Sequence, residues 1–222
     1  MLHLTPALLA ALTGFLSGLL LSIPVGPVNL TIINEGARRG LLWATMIGFG
    51  AVAMEVAYCA LAFTGFSSFF SGRVVKAAME LTSFVFLLYL GVRFLNARQI
   101  QAVSLVEQRI EQKLRPQAAF AVGFVRVMGN PGVFLFWIIL AANFISREWV
   151  APTWSGKFSC VGGVAAGTSL WFCGLSYAVS RGHGKFTEKT LLRLEHLSGI
   201  CLLALAAAHG VRIVWQMAHH RL

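Results

Sequence analysis

The sequence predicts an all-α integral membrane protein with six transmembrane helices, arranged as two inverted three-helix repeats with broken first and fourth spans. Three observations support this fold class. The composition is apolar, the charged residues are bunched between long uncharged runs, and two of those runs are interrupted by proline and asparagine. Together they indicate helices that cross lipid and are opened at two places.

The composition excludes an ordinary soluble domain. Hydrophobic residues make up 57% of the 222 residues and charged residues only 12%, with a mean hydropathy of +0.74. Soluble domains carry about 25% charged residues, because their surfaces face water. A chain with about half that supply is expected to place most of its surface in lipid.

The uncharged runs have the length of membrane-spanning helices. About 20 residues at a rise of about 1.5 Å each cross the roughly 30 Å of hydrocarbon in a bilayer. The runs are too long for barrel strands and lack the period of two that such strands show. No basic residue precedes the first run and no cleavage pattern follows it, so we expect it to be a retained span. The predicted spans are 7–33, 41–63, 78–95, 118–145, 158–180 and 192–215.

Basic residues give the chain an orientation and divide it into parts. Connections 34–40, 93–117 and 181–193 carry 11 Lys and Arg residues, against 6 in the other connections and the carboxyl end. The positive-inside rule therefore places both termini outside the cytoplasm. We expect a first half over 1–95, a cytoplasmic connection over 96–117 and a second half over 118–222. Apolar residues at helical spacing in 98–115 fit an amphipathic helix on the membrane surface, or equally a soluble connecting helix.

Each predicted half opens with an interrupted span. Proline removes a backbone donor and clashes with the preceding turn, which leaves carbonyls unpaired. Such backbone persists at membrane depth only against protein or water. Two matched interruptions are typical of secondary transporters with broken helices near the midplane, although each alone could be a simple kink. The candidate residues at the breaks are Pro24, Gly26, Pro27, Asn29, Asn130 and Pro131.

Two charged residues lie inside predicted spans. Glu55 is about 20 Å from the cytoplasmic end of the second span, where an ionised carboxylate is costly, so it is a candidate for carrying a proton. Alternatively it is a protonated packing residue, with Tyr58 one turn away as its partner. Arg126 lies about 10 Å into the fourth span, where it could bind a substrate carboxylate or extend to the headgroups.

Other functional classes have little support. No nucleophile–base pair, phosphate loop or dinucleotide fingerprint occurs, so no catalytic residue and no cofactor are expected. The histidines lack the spacing of a metal site, and no basic module suited to nucleic acid is present. The four cysteines form no C-x-x-C pair, and we expect them to pack as small hydrophobic residues: Cys59, Cys160, Cys173 and Cys201.

Several motifs resemble the LysE/RhtB family of exporters. The first-span signature of that family is similar to residues 23–30, IPVGPVNL. Its second-span pattern is similar to residues 48–58, GFGAVAMEVAY, in which Met54 and Glu55 stand where the family has Gly and Asp. Asn130-Pro131 with the aromatic residues after it resembles the fourth-span motif, and residues 167–171, GTSLW, resemble the fifth more loosely. The last motif adds Thr168 and Trp171 to the candidates for a transport path.

The resemblance implies an exporter of amino acids or similar small zwitterionic solutes, driven by the proton gradient across a bacterial inner membrane. Its partners would be the solute, the coupling proton and membrane lipid, and the small-residue faces would also allow a homodimer. Two alternatives stay open. One is a membrane scaffold or subunit that binds lipid or a partner without transport, and the other is a cation or metal exporter of the same superfamily.

Overall fold

The computed structural model describes residues 5–24, 26–65, 73–96, 116–182 and 188–218. Within these residues the chain forms eight helices and no strand, which confirms an all-α protein. The amphipathic helix predicted around 98–115 lies outside the described residues. The helices are α1 (Pro6–Ser22), α2 (Pro27–Arg39), α3 (Leu41–Gly65), α4 (Arg73–Leu95), α5 (Pro116–Met128), α6 (Pro131–Ser146), α7 (Trp154–Arg181) and α8 (Glu188–Ala218).

Three candidate spans occur among the described residues, or up to five if each of two bent helix pairs is one span. Helices α3, α7 and α8 are each long and apolar enough to cross a membrane alone. Helices α1 and α2, bent by 70°, and α5 and α6, bent by 68°, are long and apolar enough only as pairs, and each pair is either a broken span or a re-entrant loop. Both bends fall where the sequence predicted an interruption. Helix α4 contains the third predicted span but is not among the five by length and composition, so the count of six stays a prediction.

The residues at each break explain where the second half-helix begins. Pro27 and Pro131 are each the first residue of their helix, where the missing N–H costs nothing and the fixed φ suits the first turn. At the other end of α2, Gly40 adopts a φ of +86°, which residues with side chains rarely adopt. This allows α3 to begin at once, at Leu41.

Glycine brings α1 and α7 into backbone contact. A Cβ atom on Gly18 would overlap the carbonyl oxygen of Val164, and one on Gly167 would overlap that of Phe15. Small residues are the usual means of close helix packing in membranes, where no hydrophobic force pulls helices together. The small residues of the fifth predicted span therefore serve this crossing.

Helices α3 and α5 cross in the same way. A Cβ on Gly50 would overlap the carbonyl oxygen of Phe120, and one on Gly123 would overlap that of Ile47. Helix α3 thus packs against α5, and it is the most enclosed of the three single-helix spans, with 56% of its apolar stretch buried against 39% for α7 and 21% for α8. Residues of α3 that face inward are therefore surrounded by protein rather than lipid.

Candidate functional site

The first break is closed by the side chain of Asn29. Its amide nitrogen donates to the carbonyl of Ser22 at 2.9 Å and to the carbonyl of Pro24 at 2.6 Å. Both carbonyls belong to the turn between α1 and α2, where the helical ladder is interrupted. Asn29 is buried, so its side chain replaces the water that would otherwise satisfy these groups.

A residue of α7 holds Asn29 in place. The indole N–H of Trp171 donates to the side-chain oxygen of Asn29 at 3.1 Å. Asn29 and Trp171, which belong to separate sequence motifs, are therefore in contact. Both polar atoms of the Asn29 amide are therefore hydrogen-bonded. The nitrogen donates within the break, and the oxygen accepts from the fifth predicted span.

Glu55, in α3, is half-buried and is hydrogen-bonded by a tryptophan. The indole N–H of Trp137, in α6, donates to a carboxylate oxygen of Glu55, and only 1% of Trp137 is exposed. The sequence suggested Tyr58 as the partner of Glu55, and this was wrong. A buried indole N–H needs an acceptor, and for Trp137 that acceptor is a carboxylate oxygen on a neighbouring helix.

Tyr58 instead reaches the second break. Its hydroxyl donates to the carbonyl of Met128 at 2.9 Å, at the last residue of α5, and its ring lies 5.0 Å from that of Phe134 in α6. A carbonyl at a helix end lacks an intrahelical partner, so this bond satisfies it. Helix α3 therefore contacts the second broken span at two levels, through Glu55 and Tyr58.

Asn130 caps the helix that follows the second break. Its side-chain oxygen accepts from the N–H of Gly132 at 3.1 Å, which is the usual role of asparagine at a helix start. Asn130 is exposed, unlike the buried Asn29 of the first break. The two breaks are therefore stabilised differently: one is closed by its own asparagine, and the other by a tyrosine from α3.

The remaining candidates lie close to the breaks. Gly26 precedes α2, and its N–H donates to the carbonyl of Pro24 at 2.8 Å. Arg126 is in the last turn of α5, where a cation is favourable near the free carbonyls of the helix end. Thr168 is buried one turn before Trp171, and its hydroxyl has no hydrogen-bond partner among the described residues.

Two charged residues that the sequence assigned to connections are buried in helices. Glu35 is 5% exposed and pairs with Arg39 at 2.9 Å, one turn later in α2. Lys157, in the first turn of α7, donates to the carbonyl of Phe63 near the end of α3 at 3.2 Å. The spacing of four between Glu35 and Arg39 was a usable signal for the first pair. The second depends on tertiary packing, which no local pattern reports.

Two cysteines lie in the core. Cys59 of α3 and Cys160 of α7 are fully buried, as expected for cysteines that pack as small hydrophobic residues, whereas Cys173 is half-buried and Cys201 is exposed. In the described part of the chain, no group of three or more His, Cys, Asp or Glu side chains is arranged to hold a metal ion.

An apolar helical bundle with two bent helix pairs, polar bonds at both bends and a half-buried carboxylate beside the second bend is typical of a multi-pass membrane protein of the transport class. Residues 19–211 match the LysE type translocator family, so the chain belongs to that family and is a transporter, not an enzyme. It is 29% identical over 202 residues to YcgF of Bacillus subtilis (strain 168), whose name assigns it provisionally to amino acid efflux; the match covers 90% of this chain and 94% of the relative. No solved structure matches the chain.

Proposed function

We propose that this protein exports amino acids or similar small zwitterionic solutes, coupled to protons, by alternating access of two inverted halves. The observation that carries the proposal is that each break is hydrogen-bonded to a helix of the other predicted half. Trp171, from the fifth predicted span, bonds Asn29 at the first break. Tyr58, from the second predicted span, bonds Met128 at the second. Each break is thus hydrogen-bonded to the middle helix of the opposite half. Movement of one half relative to the other would change the geometry of these hydrogen bonds.

The glycine crossings support the repeat. In the crossing of α1 with α7, the contact residues of α1 are Gly18 and Phe15. In the crossing of α5 with α3, the corresponding residues of α5 are Gly123 and Phe120, each 105 positions later in the chain. Their partners in the middle spans show a second constant shift of 117, from Ile47 to Val164 and from Gly50 to Gly167. A constant shift within each helix is the pattern expected when two halves share one plan. It favours six spans, with α4 as the third.

The helix ends at the breaks suit a zwitterion. Helix α2 begins after Gly26, which has no side chain to cap it, so its N-terminal N–H groups and positive dipole end favour a carboxylate. Helix α5 ends near the second break, where the negative end of its dipole favours an ammonium group. We assign Pro24, Gly26, Pro27, Asn130 and Pro131 to the transport path because they create these ends.

Glu55 is the proposed proton carrier. It is enclosed by protein at the level of the second broken span, and Trp137 is its hydrogen-bond donor. A carboxyl group in such surroundings can exchange a proton with a bound solute's ammonium group or with water from either side. Arg126, in the last turn before the break, is the proposed second contact for the solute's carboxylate. Thr168 offers its unpartnered hydroxyl on the α7 side.

Charge and family membership support the cellular placement that we propose. The excess of basic residues in connections 34–40, 93–117 and 181–193 favours a cytoplasmic location for them. Both termini would then lie outside, with the protein in a bacterial inner membrane. A homodimer through lipid-facing small residues is compatible with this arrangement.

The test is solute flux through the purified protein in liposomes. A panel of labelled amino acids is loaded inside the liposomes, and their release is measured with the proton gradient directed outward or inward. Liposomes without the protein are the control. We expect release of one or a few amino acids that exceeds the control and depends on the gradient. Flux no greater than the control for the whole panel would favour a scaffold, and flux of metal cations alone would favour the cation-exporter alternative.

A further inference from the structure

We propose that Lys157 is a latch that closes the end of the bundle where α3 finishes and α7 begins. Its ammonium group, in the first turn of α7, donates to the carbonyl of Phe63 near the end of α3 at 3.2 Å. Lys157 belongs to the second predicted half and Phe63 to the first, so this hydrogen bond joins the two halves. In the proposed orientation this is the outer end, through which an exported solute must leave; that consequence rests on the proposed function.

The burial of Lys157 is unusual for a lysine at the start of a membrane-spanning helix. Such a lysine normally extends its ammonium group into water or among the lipid headgroups. Lys189, at the start of α8, is exposed in this way. Lys157 is only 8% exposed, and burying an ammonium group is costly unless acceptors replace its water. Its inward position therefore indicates a specific contact rather than an ordinary surface charge.

The acceptor of this hydrogen bond suits an ammonium group. The last carbonyls of a helix lack an intrahelical partner and form the negative end of the helix dipole. Phe63 is two residues before Gly65, where α3 ends, so its carbonyl is one of them. The ring centroid of Trp154 also lies 5.2 Å from the ammonium nitrogen. The ammonium group is thus held by a carbonyl of one half and an aromatic ring of its own helix.

Two native cysteines lie about one turn deeper in the bundle than the latch. Cys59 precedes Phe63 by four residues in α3. Cys160 follows Lys157 by three residues in α7, and each step is about 5 Å along its helix. Both cysteines are fully buried. We therefore expect opening of this end to expose their thiols to a reagent that is added from the same side.

The experiment labels the native thiols of the full-length protein in membrane vesicles with a membrane-impermeant maleimide. Right-side-out and inside-out vesicles are treated in parallel, and mass spectrometry measures the labelling rate of each cysteine. Lys157→Met removes the ammonium group but keeps a long side chain. We expect it to raise the labelling rates of Cys59 and Cys160 about tenfold in right-side-out vesicles, as the loss of one hydrogen bond from a charged group shifts an opening equilibrium.

The matched control is Lys189→Met, which removes an exposed lysine at the start of another helix and should label as the wild type does. Lys157→Arg retains a positive charge and N–H donors for the Phe63 carbonyl, so its labelling rates should stay within about twofold of the wild type. Cys173, which is half-buried, and Cys201, which is exposed, are the reference thiols. Their labelling rates should be the same in every variant.

Two results would overturn the latch. One is an unchanged labelling rate of Cys59 and Cys160 in Lys157→Met. The other is an equal rise at all four cysteines, because the lysine would then stabilise the whole fold rather than close one end. If Lys157→Met does not elute as a monodisperse protein, Lys157→Gln replaces it, and the same two results decide.

Efflux from liposomes separates the latch from the proposed function. We expect Lys157→Met to increase efflux in the absence of a pH gradient, because the outer end opens more often. Selective labelling with unchanged efflux would overturn this consequence for export. Selective labelling in a protein without any flux would leave the latch established and contradict the proposed function. Selective labelling in inside-out vesicles alone would retain the latch and contradict the proposed orientation.

Discussion

The indole N–H of Trp171 donates to the side-chain oxygen of Asn29 at 3.1 Å, although 142 residues separate them in the chain. The amide nitrogen of the same asparagine donates to two carbonyls of the break between α1 and α2. A local interruption is therefore stabilised by a distant helix. The same principle operates at the second break, where Tyr58 reaches Met128 across 70 residues.

Replacing Asn29 with aspartate tests whether its amide closes the first break. The change keeps the shape of the side chain but removes both donors, and it directs oxygen at the carbonyls of Ser22 and Pro24. Leaving buried polar groups unpaired costs about 1–3 kcal/mol each, so we expect a clear fall in melting temperature. Thermal unfolding in detergent measures it.

The matched control for Asn29 is Asn96→Asp, an exposed residue after the end of α4. It should melt within about a degree of the wild type, since exposed substitutions change stability by less than about 0.5 kcal/mol. Equal melting of Asn29→Asp and the wild type would show that the amide is not needed at the break.

Removing the hydroxyl of Tyr58 should weaken the second break. Tyr58→Phe keeps the ring against Phe134 but leaves the Met128 carbonyl without this donor. We expect a loss of about 1–2 kcal/mol in stability and a lower initial rate of flux. Tyr89→Phe on the exposed face of α4 is the control and should match the wild type. An unchanged melting temperature and flux rate in Tyr58→Phe would show that the Tyr58 hydroxyl does not stabilise the second break.

Two adjacent glycines of α7 should respond in opposite ways to alanine. A Cβ on Gly163 would overlap the carbonyl oxygen of Ala11 in α1, whereas no described atom lies within 4 Å of a Cβ on Gly162. We therefore expect Gly163→Ala to reduce the yield of monodisperse protein sharply. Gly162→Ala should be neutral or slightly stabilising, since alanine is the better helix former. If the two variants gave the same size-exclusion profile, the close contact between α1 and α7 at Gly163 would be contradicted.

Trp137→Phe tests the positioning of Glu55. The variant keeps an aromatic ring but removes the indole N–H that donates to the carboxylate. Hydrogen bonds to charged groups contribute about 1.5–3 kcal/mol, so we expect a fall in the flux rate of about tenfold or more. Trp149→Phe, an exposed residue before α7, is the control. Comparable rates for Trp137→Phe and Trp149→Phe would mean that the indole does not position Glu55.

Local chemistry made the breaks predictable from sequence. Proline without an N–H suits only the start of a helix, so Pro27 and Pro131 marked where the second half-helices begin. The apolar runs likewise marked the candidate spans, because their length is fixed by the bilayer. The places of the two interruptions therefore followed from properties of single residues and their near neighbours, whereas the helix bounds differ from the predicted spans, with α4 beginning at Arg73 rather than at 78.

The contacts between helices were not predictable in this way. Tyr58 is within one turn of Glu55, which suggested a pair, but its hydroxyl points across to Met128 in another helix. Likewise Lys157 and Phe63 are 94 positions apart and meet only because α3 packs against α7. Such partners depend on the rotation of each helix about its axis. That rotation is fixed by distant glycines rather than by the local pattern.

Glu55→Gln tests the central claim most directly, because glutamine keeps nearly the same shape and can still accept the N–H of Trp137 but cannot release a proton. Wild-type protein and the variant are reconstituted at equal density, and amino acid efflux is measured with and without a pH gradient. We expect the gradient to accelerate wild-type efflux and to leave the variant at its basal rate, with expression and monodispersity unchanged. Gradient-driven efflux of the variant that equals the wild type would contradict the role of Glu55 in proton coupling.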